Sequence, residues 1–138
     1  MDWYSRYVIS WEISISLEID FCICALEKAL QTSKPKIFNS DQGSQFTSSQ
    51  FTGILLKNEV RVSHDGRGKF YDNIFIERLW RSVKWEEVYL KEYQDVYEAT
   101  EGIRNYFRFY NEERLHQSLG YRPPRRVYLQ SLEEKEIN

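Results

Sequence analysis

The chain has 138 residues, which is close to the commonest domain size and leaves little room for a second independent core. Apolar residues make up 41% and charged residues 29%, the balance of an ordinary globular protein, and the formal net charge is -2. This charge excludes a global positive field that would attract nucleic acid or an anionic membrane, so any such contact must come from local basic clusters.

The first quarter of the chain predicts a strand followed by a helix. Residues 9–16 alternate between apolar and polar side chains, which is the pattern of a half-buried strand. Ser16 is predicted to cap a helix that ends before Pro35. Cys22 and Cys24 lie in this helix and would point about 200° apart, so they are interpreted as reduced, buried thiols of a cytoplasmic protein. No apolar stretch is long enough for a membrane span or a signal peptide.

The next segment predicts two short strands, each followed by a polar loop. Residues 36–38 are predicted as a strand, and Asp41 lies in the polar stretch that follows it. A helix over 48–57 is predicted from a capping box at Thr47, with Phe46 packed on Phe51. Residues 61–63 predict a second strand, and the glycine-containing stretch 64–69 predicts a mobile loop.

The second half predicts two amphipathic helices. Asp72 opens the first, whose apolar face is opposite a polar face bearing Glu77. That polar face consists of Asn73, Glu77, Arg81 and Lys84, and the apolar face of Phe75, Ile76, Leu79 and Val83. The second helix covers 95–111, with a predicted buried stripe of Val96, Ala99, Ile103, Phe107 and Tyr110. An irregular, proline-containing segment follows, and 129–138 is predicted to be a disordered acidic tail.

Asp41 and Glu77 are the candidate catalytic residues. Thirty-five residues separate them; Asp41 follows a strand and Glu77 projects from the polar face of a helix. Phosphodiester chemistry with two divalent ions needs hard oxygen ligands, which aspartate and glutamate supply. Taken alone, the pair is weak evidence for catalysis, because most aspartates and glutamates are solvated surface charges.

Several sequence blocks in order resemble one family. They are NSDQGSQF at 39–46, DGRG at 65–68, DNIFIERLWRSVK at 72–84 and YNEERLHQSLGY at 110–121. These blocks resemble the integrase core of bacterial insertion-sequence transposases, which is similar in chemistry to retroviral integrases. The resemblance covers residues 2–128 and implies one domain, the C-terminal portion of the catalytic core, over 1–128.

This resemblance implies an α/β, RNase H-like fold and a metal-binding triad of two aspartates and one glutamate. Asp41 matches the second aspartate, Glu77 matches the glutamate, and Lys84 matches a basic position that accompanies them. The implied cofactor is Mg²⁺ or Mn²⁺, and the implied ligands are the transposon ends and the target DNA. Because transposition holds two DNA ends, the resemblance also implies a homo-oligomer or association with intact transposase.

Four basic residues are candidates for DNA binding. Arg81 and Lys84 lie on the same side of the helix as Glu77, where they could contact phosphates beside the cleaved bond. Arg67 and Lys69 lie in the glycine-containing loop and could close over DNA. The alternative for all four is an ordinary solvated surface charge.

Other candidate ligands are given structural interpretations. Trp80 and Trp85 are interpreted as core or rim packing in preference to base stacking. His64 and His116 have no second His or Cys at zinc-ligand spacing, and His116 is predicted to anchor the turn after the last helix.

The sequence departs from the family at its N-terminus. The family's first aspartate lies upstream of a segment resembling residues 2–6, so no residue is assigned to that role, and Asp2 does not take it. The fold is therefore predicted to lack its first strand and most of its second, and the chain alone is predicted to have little or no transposition activity.

Three functions remain open. The first is a transposase catalytic domain that works with a separate N-terminal segment. The second is a non-enzymatic remnant that binds DNA or intact transposase. The third is a stand-alone nuclease of the same broad fold, which the block at 110–121 disfavours.

Overall fold

The computed structural model describes residues 1–66 and 73–136. In chain order the helices and strands are α1 (Asp20–Thr32), β1 (Ile37–Ser40), α2 (Ser44–Thr47), α3 (Ser49–Lys57), β2 (Arg61–His64), α4 (Ile74–Glu86), a 3-10 helix (Val88–Leu90), α5 (Val96–Glu112), a second 3-10 helix (Gln117–Leu119) and α6 (Pro124–Glu136). The mixture of helices with a parallel sheet confirms the predicted α/β class.

The chain divides into two compact units. One unit is continuous and covers Ile9–Ile74, and the other combines Met1–Val8 with Phe75–Asn138. We name them the Ile9–Ile74 unit and the α4–α6 unit. None of the helices in the described part of the chain has the length and apolar character that crossing a bilayer requires.

A two-stranded parallel sheet and the helices α1, α2 and α3 lie in the Ile9–Ile74 unit. Strand β1 pairs with β2 in the register Ile37 to Arg61 through Ser40 to His64. Beside the sheet, Leu26 of α1 packs with Phe51 and Leu55 of α3. Phe46 contacts Phe51 with their ring centroids 5.4 Å apart, so the predicted aromatic contact is confirmed.

The strand predicted over 9–16 is wrong, because the structure has irregular backbone there. Two polar side chains of this segment, Ser10 and Glu12, were predicted to face solvent but instead contact α1. Ser10 Oγ donates to the Ala25 carbonyl at 2.6 Å, and Glu12 accepts from Cys24 Sγ and Lys28. Ile15, predicted to be on the buried face, is 89% exposed. Hydrogen bonds to a helix thus replace the strand ladder that the alternation predicted.

Two predicted helix caps are also wrong. Helix α1 begins after Ile19 without a side-chain cap, since Ser16 interacts with Ser14 instead. Helix α3 is capped by Ser48, whose Oγ accepts from the Phe51 amide at 3.2 Å. Thr47, the predicted cap, belongs to α2 and donates to the Gly43 carbonyl.

Three long helices and the N-terminal segment form the α4–α6 unit. Leu79 and Val83 of α4, and Ile103, Phe107 and Tyr110 of α5, are buried as predicted. Val96 was predicted to be buried but lies in the first turn of α5 and is exposed. The amide of Asn111 holds the N-terminal segment, because its Oδ1 accepts from the Val8 N–H at 2.9 Å and its Nδ2 donates to the Val8 carbonyl at 3.0 Å.

Sequence analysis missed the last helix. The segment after α5 folds into a turn closed by a bridge between His116 and Arg122, and α6 then begins at Pro124. Proline suits a first helical position because its missing N–H would have no helical partner there. Helix α6 continues to Glu136, so residues 129–136 are helical where a disordered tail was predicted.

Candidate functional site

Asp41 lies at the end of a strand, as predicted. Strand β1 ends at Ser40, and the exposed Asp41 turns its Oδ1 back to accept from the Gly43 N–H at 2.8 Å. A Cβ atom at position 43 would lie only 2.9 Å from that oxygen, so glycine gives the carboxylate room to make this bond. The bond holds one carboxylate oxygen and sets the direction of the other.

Side chains at the ends of β1 and β2 bind each other beside Asp41. Asn39 Nδ2 donates to Asp65 Oδ1 at 2.7 Å, and Ser40 Oγ lies 3.1 Å from His64 Nδ1. Gln42 Nε2 also donates to the Asp65 carbonyl at 2.7 Å. These bonds fix the backbone on both sides of Asp41. Sequence analysis missed them because they depend on the pairing of strands that are far apart in the chain.

Glu77 lies on the exposed face of α4, as predicted. It is in the first turn of the helix, where the positive end of the helix dipole favours a carboxylate. Asp41 belongs to the Ile9–Ile74 unit and Glu77 to the α4–α6 unit. Their joint binding of metal stays a prediction.

The face of α4 around Glu77 carries cations. Arg78, Arg81 and Lys84 are exposed, and within residues 1–66 and 73–136 none of the three forms an ion pair. By contrast, Arg104, Arg114 and Arg125 on the following segments all pair with glutamates. The predicted DNA-binding residues Arg67 and Lys69 lie outside the described residues.

Trp80 and Trp85 do not pack in the core, which leaves the rim packing that the sequence interpretation also allowed. Trp80 is 49% exposed and Trp85 is 64% exposed. Trp85 makes an edge-to-face contact with Tyr89, with ring centroids 5.2 Å apart. The buried face of α4 carries Leu79 and Val83, and the two tryptophans lie on the solvent-exposed part of the helix.

The C-terminal end of α4 is held by two glutamates with different partners. Glu86 binds Arg114 through Nε, at 2.9 Å to Oε2, and through Nη2, at 2.5 Å to Oε1, and it also accepts from Tyr106 Oη at 2.9 Å. The hydrogen bonds from Arg114 hold the pKa of Glu86 below its usual range. Burial, followed by this bond to Glu86, raises the pKa of Tyr106.

The neighbouring Glu87 is only 6% exposed. Its Oε1 accepts from Lys91 Nζ at 2.7 Å and from Tyr93 Oη at 2.6 Å. Both bonds tie the segment after α4 to its end. The sequence showed two consecutive glutamates at the end of a helix but did not distinguish the buried one.

His116 anchors the turn after α5, as predicted. Its carbonyl accepts from the Leu119 and Tyr121 amides, and its ring packs edge-on against Tyr110 at 4.8 Å. Burial, together with the nearby Arg114 charge, lowers the pKa of His116 to about 4. The ring is therefore neutral near pH 7.

The donor set suits a hard divalent cation. Asp41 and Glu77 offer exposed carboxylate oxygens, which Mg²⁺ and Mn²⁺ prefer, whereas the Nδ1 of His64 is already engaged with Ser40. Among residues 1–66 and 73–136, however, no group of three or more His, Cys, Asp or Glu side chains could hold a metal ion. Asp41 and Glu77 are nevertheless each of the chemical type that binds such a metal.

Comparison with curated proteins finds transposases. The transposase for insertion sequence element IS629 from Shigella sonnei is 30% identical over 126 residues, which is 90% of this chain and 43% of the relative. The transposase for IS904 from Lactococcus lactis is 29% identical over 129 residues, 91% of this chain and 51% of the relative. The putative transposase InsK for IS150 from Escherichia coli is 25% identical over 118 residues, 83% of this chain and 42% of the relative.

The chain thus spans about half the length of the curated relatives it matches. No solved structure matches it significantly. Comparison with families gives two overlapping matches, both described as an integrase core domain. The first covers residues 1–69, half of the chain, and the second covers residues 58–124. Together the two matches run from residue 1 to residue 124, and this chain therefore belongs to the integrase core domain family.

Proposed function

We propose that the chain is the C-terminal portion of the catalytic core of a DNA transposase, with an RNase H-like fold. The proposed reaction is metal-dependent phosphodiester cleavage and strand transfer. The observation that carries this proposal is the exposed Glu77 on α4, within a helix face of cations that have no acidic partner among the described residues. A carboxylate among unpaired cations suits a ligand that carries both metal and phosphate.

Asp41 and Glu77 would hold the metal. When bound, Mg²⁺ or Mn²⁺ would activate the attacking hydroxyl and stabilise the leaving oxygen of an in-line displacement. The Gly43 amide would hold one oxygen of the Asp41 carboxylate in place while the second oxygen binds the metal. The third carboxylate that the resemblance implies has no assigned residue between 1 and 138. Little or no transposition is therefore expected from this chain alone.

Arg81 and Lys84 would bind phosphates that flank the cleaved bond. They lie about one and two helical turns after Glu77, which places the three side chains on one strip of α4. Arg67 and Lys69 are proposed to extend this contact. The proposed ligands are the transposon ends and the target DNA, and the proposed assembly is a homo-oligomer or a complex with intact transposase.

A second function is favoured by the incomplete ligand set. Because no group of three candidate metal ligands occurs in the described ranges, the chain could bind DNA or intact transposase without cleaving DNA. This non-enzymatic remnant would keep the exposed Arg81 and Lys84 for binding and would lack the DNA-cleaving activity.

Strand transfer separates the two functions. The chain would be extended at its N-terminus by the polypeptide encoded directly upstream and tested on labelled transposon-end DNA with Mg²⁺. We expect metal-dependent products, and a loss of at least about 100-fold in Asp41→Asn and in Glu77→Gln. Asp20→Asn, which changes another exposed acid, is the matched control. Salt-sensitive DNA binding without any product would support the remnant.

A further inference from the structure

The exposed aromatic side chains of α4 lie beside its cations. At about 100° per residue, Trp80, Lys84, Arg81 and Trp85 follow one another around the helix within an arc of about 140°. Glu77 lies near the middle of this arc. The tryptophans therefore border the strip of charged residues on both sides, and we name this surface the α4 face.

An exposed tryptophan pair is an unusual use of apolar surface. Trp80 and Trp85 are 49% and 64% exposed although burial of such rings normally stabilises a protein. Tyr89, against which Trp85 packs, is itself 61% exposed. The edge-to-face contact restricts the Trp85 ring while most of it stays accessible.

The part of α4 that carries Trp85 is also held firmly. The adjacent Glu86 is bound by Arg114 and Tyr106, and Glu87 is bound by Lys91 and Tyr93. A ring fixed in this way loses little entropy when a flat ligand stacks on it. The α4 face is therefore a preorganised aromatic surface next to positive charges that form no ion pair with any residue in 1–66 or 73–136.

We propose that the α4 face binds unpaired nucleotides, with Trp85 stacking on a base while Arg81 and Lys84 contact the phosphates. Trp80 lies on the other border of the α4 face. Combined stacking rings and cations are the chemistry that proteins use for single-stranded nucleic acid. A protein partner is disfavoured because it would have to neutralise two cations, Arg81 and Lys84, at the centre of the contact. This inference rests on the proposed function, in which DNA is the ligand of α4.

The geometry sets the length of the unpaired segment. Trp85 lies eight residues after Glu77, which is about 12 Å along a helix axis. For nucleotides stacked about 3.4 Å apart, as along one strand of a duplex, this distance corresponds to about three or four nucleotides. A DNA end with a tail of that length would reach from the Glu77 position to the Trp85 ring.

The test compares two labelled DNAs by fluorescence anisotropy at fixed salt: a blunt duplex, and the same duplex with an unpaired tail of about four nucleotides. We expect the tailed DNA to bind about tenfold more tightly. Trp85→Leu should abolish this preference and leave binding of the blunt duplex unchanged, whereas Trp85→Phe should retain most of it. Tyr97→Leu is the matched control, since Tyr97 is a 74% exposed aromatic on α5.

The outcomes separate the two proposals. A preference for the tail that survives Trp85→Leu, or no preference in the parent chain, overturns the stacking site. Arg81→Ala with Lys84→Ala should weaken binding of both DNAs, and unchanged binding refutes DNA contact by α4 itself. A change of oligomeric state in Trp85→Leu, measured by light scattering, with the tail preference unaltered would show that the α4 face binds another copy of the chain.

Discussion

Gly102→Ala is expected to destabilise the protein, although alanine is the better helix former. Gly102 lies inside α5, where replacing glycine normally stabilises a helix by about 0.5–1 kcal/mol. A Cβ atom at this position would lie 2.6 Å from Tyr93 Oη and 2.8 Å from Glu87 Oε1. Both distances are below van der Waals contact, so Tyr93 has to move away from its partner.

The size of the effect follows from the two interactions that change. Overpacking typically costs about 1–3 kcal/mol, and loss of a hydrogen bond to a charged group about 1.5–3 kcal/mol. Partial relaxation of Tyr93 and the gain in helix propensity reduce the sum. We therefore expect Gly102→Ala to lower the free energy of unfolding by about 1–3 kcal/mol.

Gly53→Ala is the matched control. Gly53 lies inside α3, and a Cβ atom there would meet nothing within 4 Å. This change should stabilise the chain by about 0.5–1 kcal/mol. Thermal unfolding followed by circular dichroism measures both variants, with shifts of several degrees in opposite directions.

A double-mutant cycle tests the mechanism. In a Tyr93→Ala background the ring atoms that oppose the new methyl group are gone, so Gly102→Ala should cost much less than in the parent chain. An equal cost in both backgrounds would mean that the Tyr93 contact is not the cause. A stabilising Gly102→Ala would refute the close packing of Gly102 against the Glu87 pair.

Three further predictions concern the same unit. Arg114→Lys should lower the free energy of unfolding, measured in urea, by about 1 kcal/mol, because lysine cannot form the bidentate contact with Glu86. Arg125→Lys is the control and should change it by less than about 0.5 kcal/mol, because the ion pair of Arg125 with Glu112 is exposed. Unfolded histidine titrates near 6.5 and folded His116 near 4, so the unfolded state binds the proton first and the free energy of unfolding should fall as the pH drops from 6.5 toward 4. His116→Gln should make this fall shallower, and an unchanged pH dependence would contradict the assignment. Asn111→Ala leaves the N–H and the carbonyl of Val8 without their partner, so limited proteolysis near residue 8 should become at least several times faster. Asn105→Ala, which changes an exposed asparagine of the same helix, is the control and should leave the cleavage rate unchanged.

The amphipathic helices were predictable because apolar residues that recur every three or four positions over several turns fit a helix and do not fit a strand. In α4 the burial of Leu79 and Val83 and the exposure of Glu77 followed from the angular step of a helix. The alternating segment 9–16 was not predictable in the same way. Seven or eight residues of alternation fit a strand, but here Ser10 and Glu12 bind α1, and the sequence contains no sign of that helix as a partner.

The last helix was missed for a different reason. Two consecutive prolines were interpreted as a stop, yet Pro124 occupies a helix start, where the same covalent ring is favourable. At the candidate site, the position of Asp41 after β1 was predictable from local sequence. The bonds from Asn39 to Asp65 and from Ser40 to His64 were not, because they depend on strand register across more than twenty residues.

The two hydrogen bonds between Val8 and Asn111 have a consequence for folding during synthesis on the ribosome. These residues are 103 positions apart, and the whole Ile9–Ile74 unit lies between them in the chain. Residues 1–8 emerge from the ribosome before the Ile9–Ile74 unit, but Val8 cannot acquire its native partner until a further 103 residues have been translated. The Ile9–Ile74 unit can meanwhile complete its own core, so the order of translation favours folding of the inserted unit before closure of the unit that surrounds it in sequence.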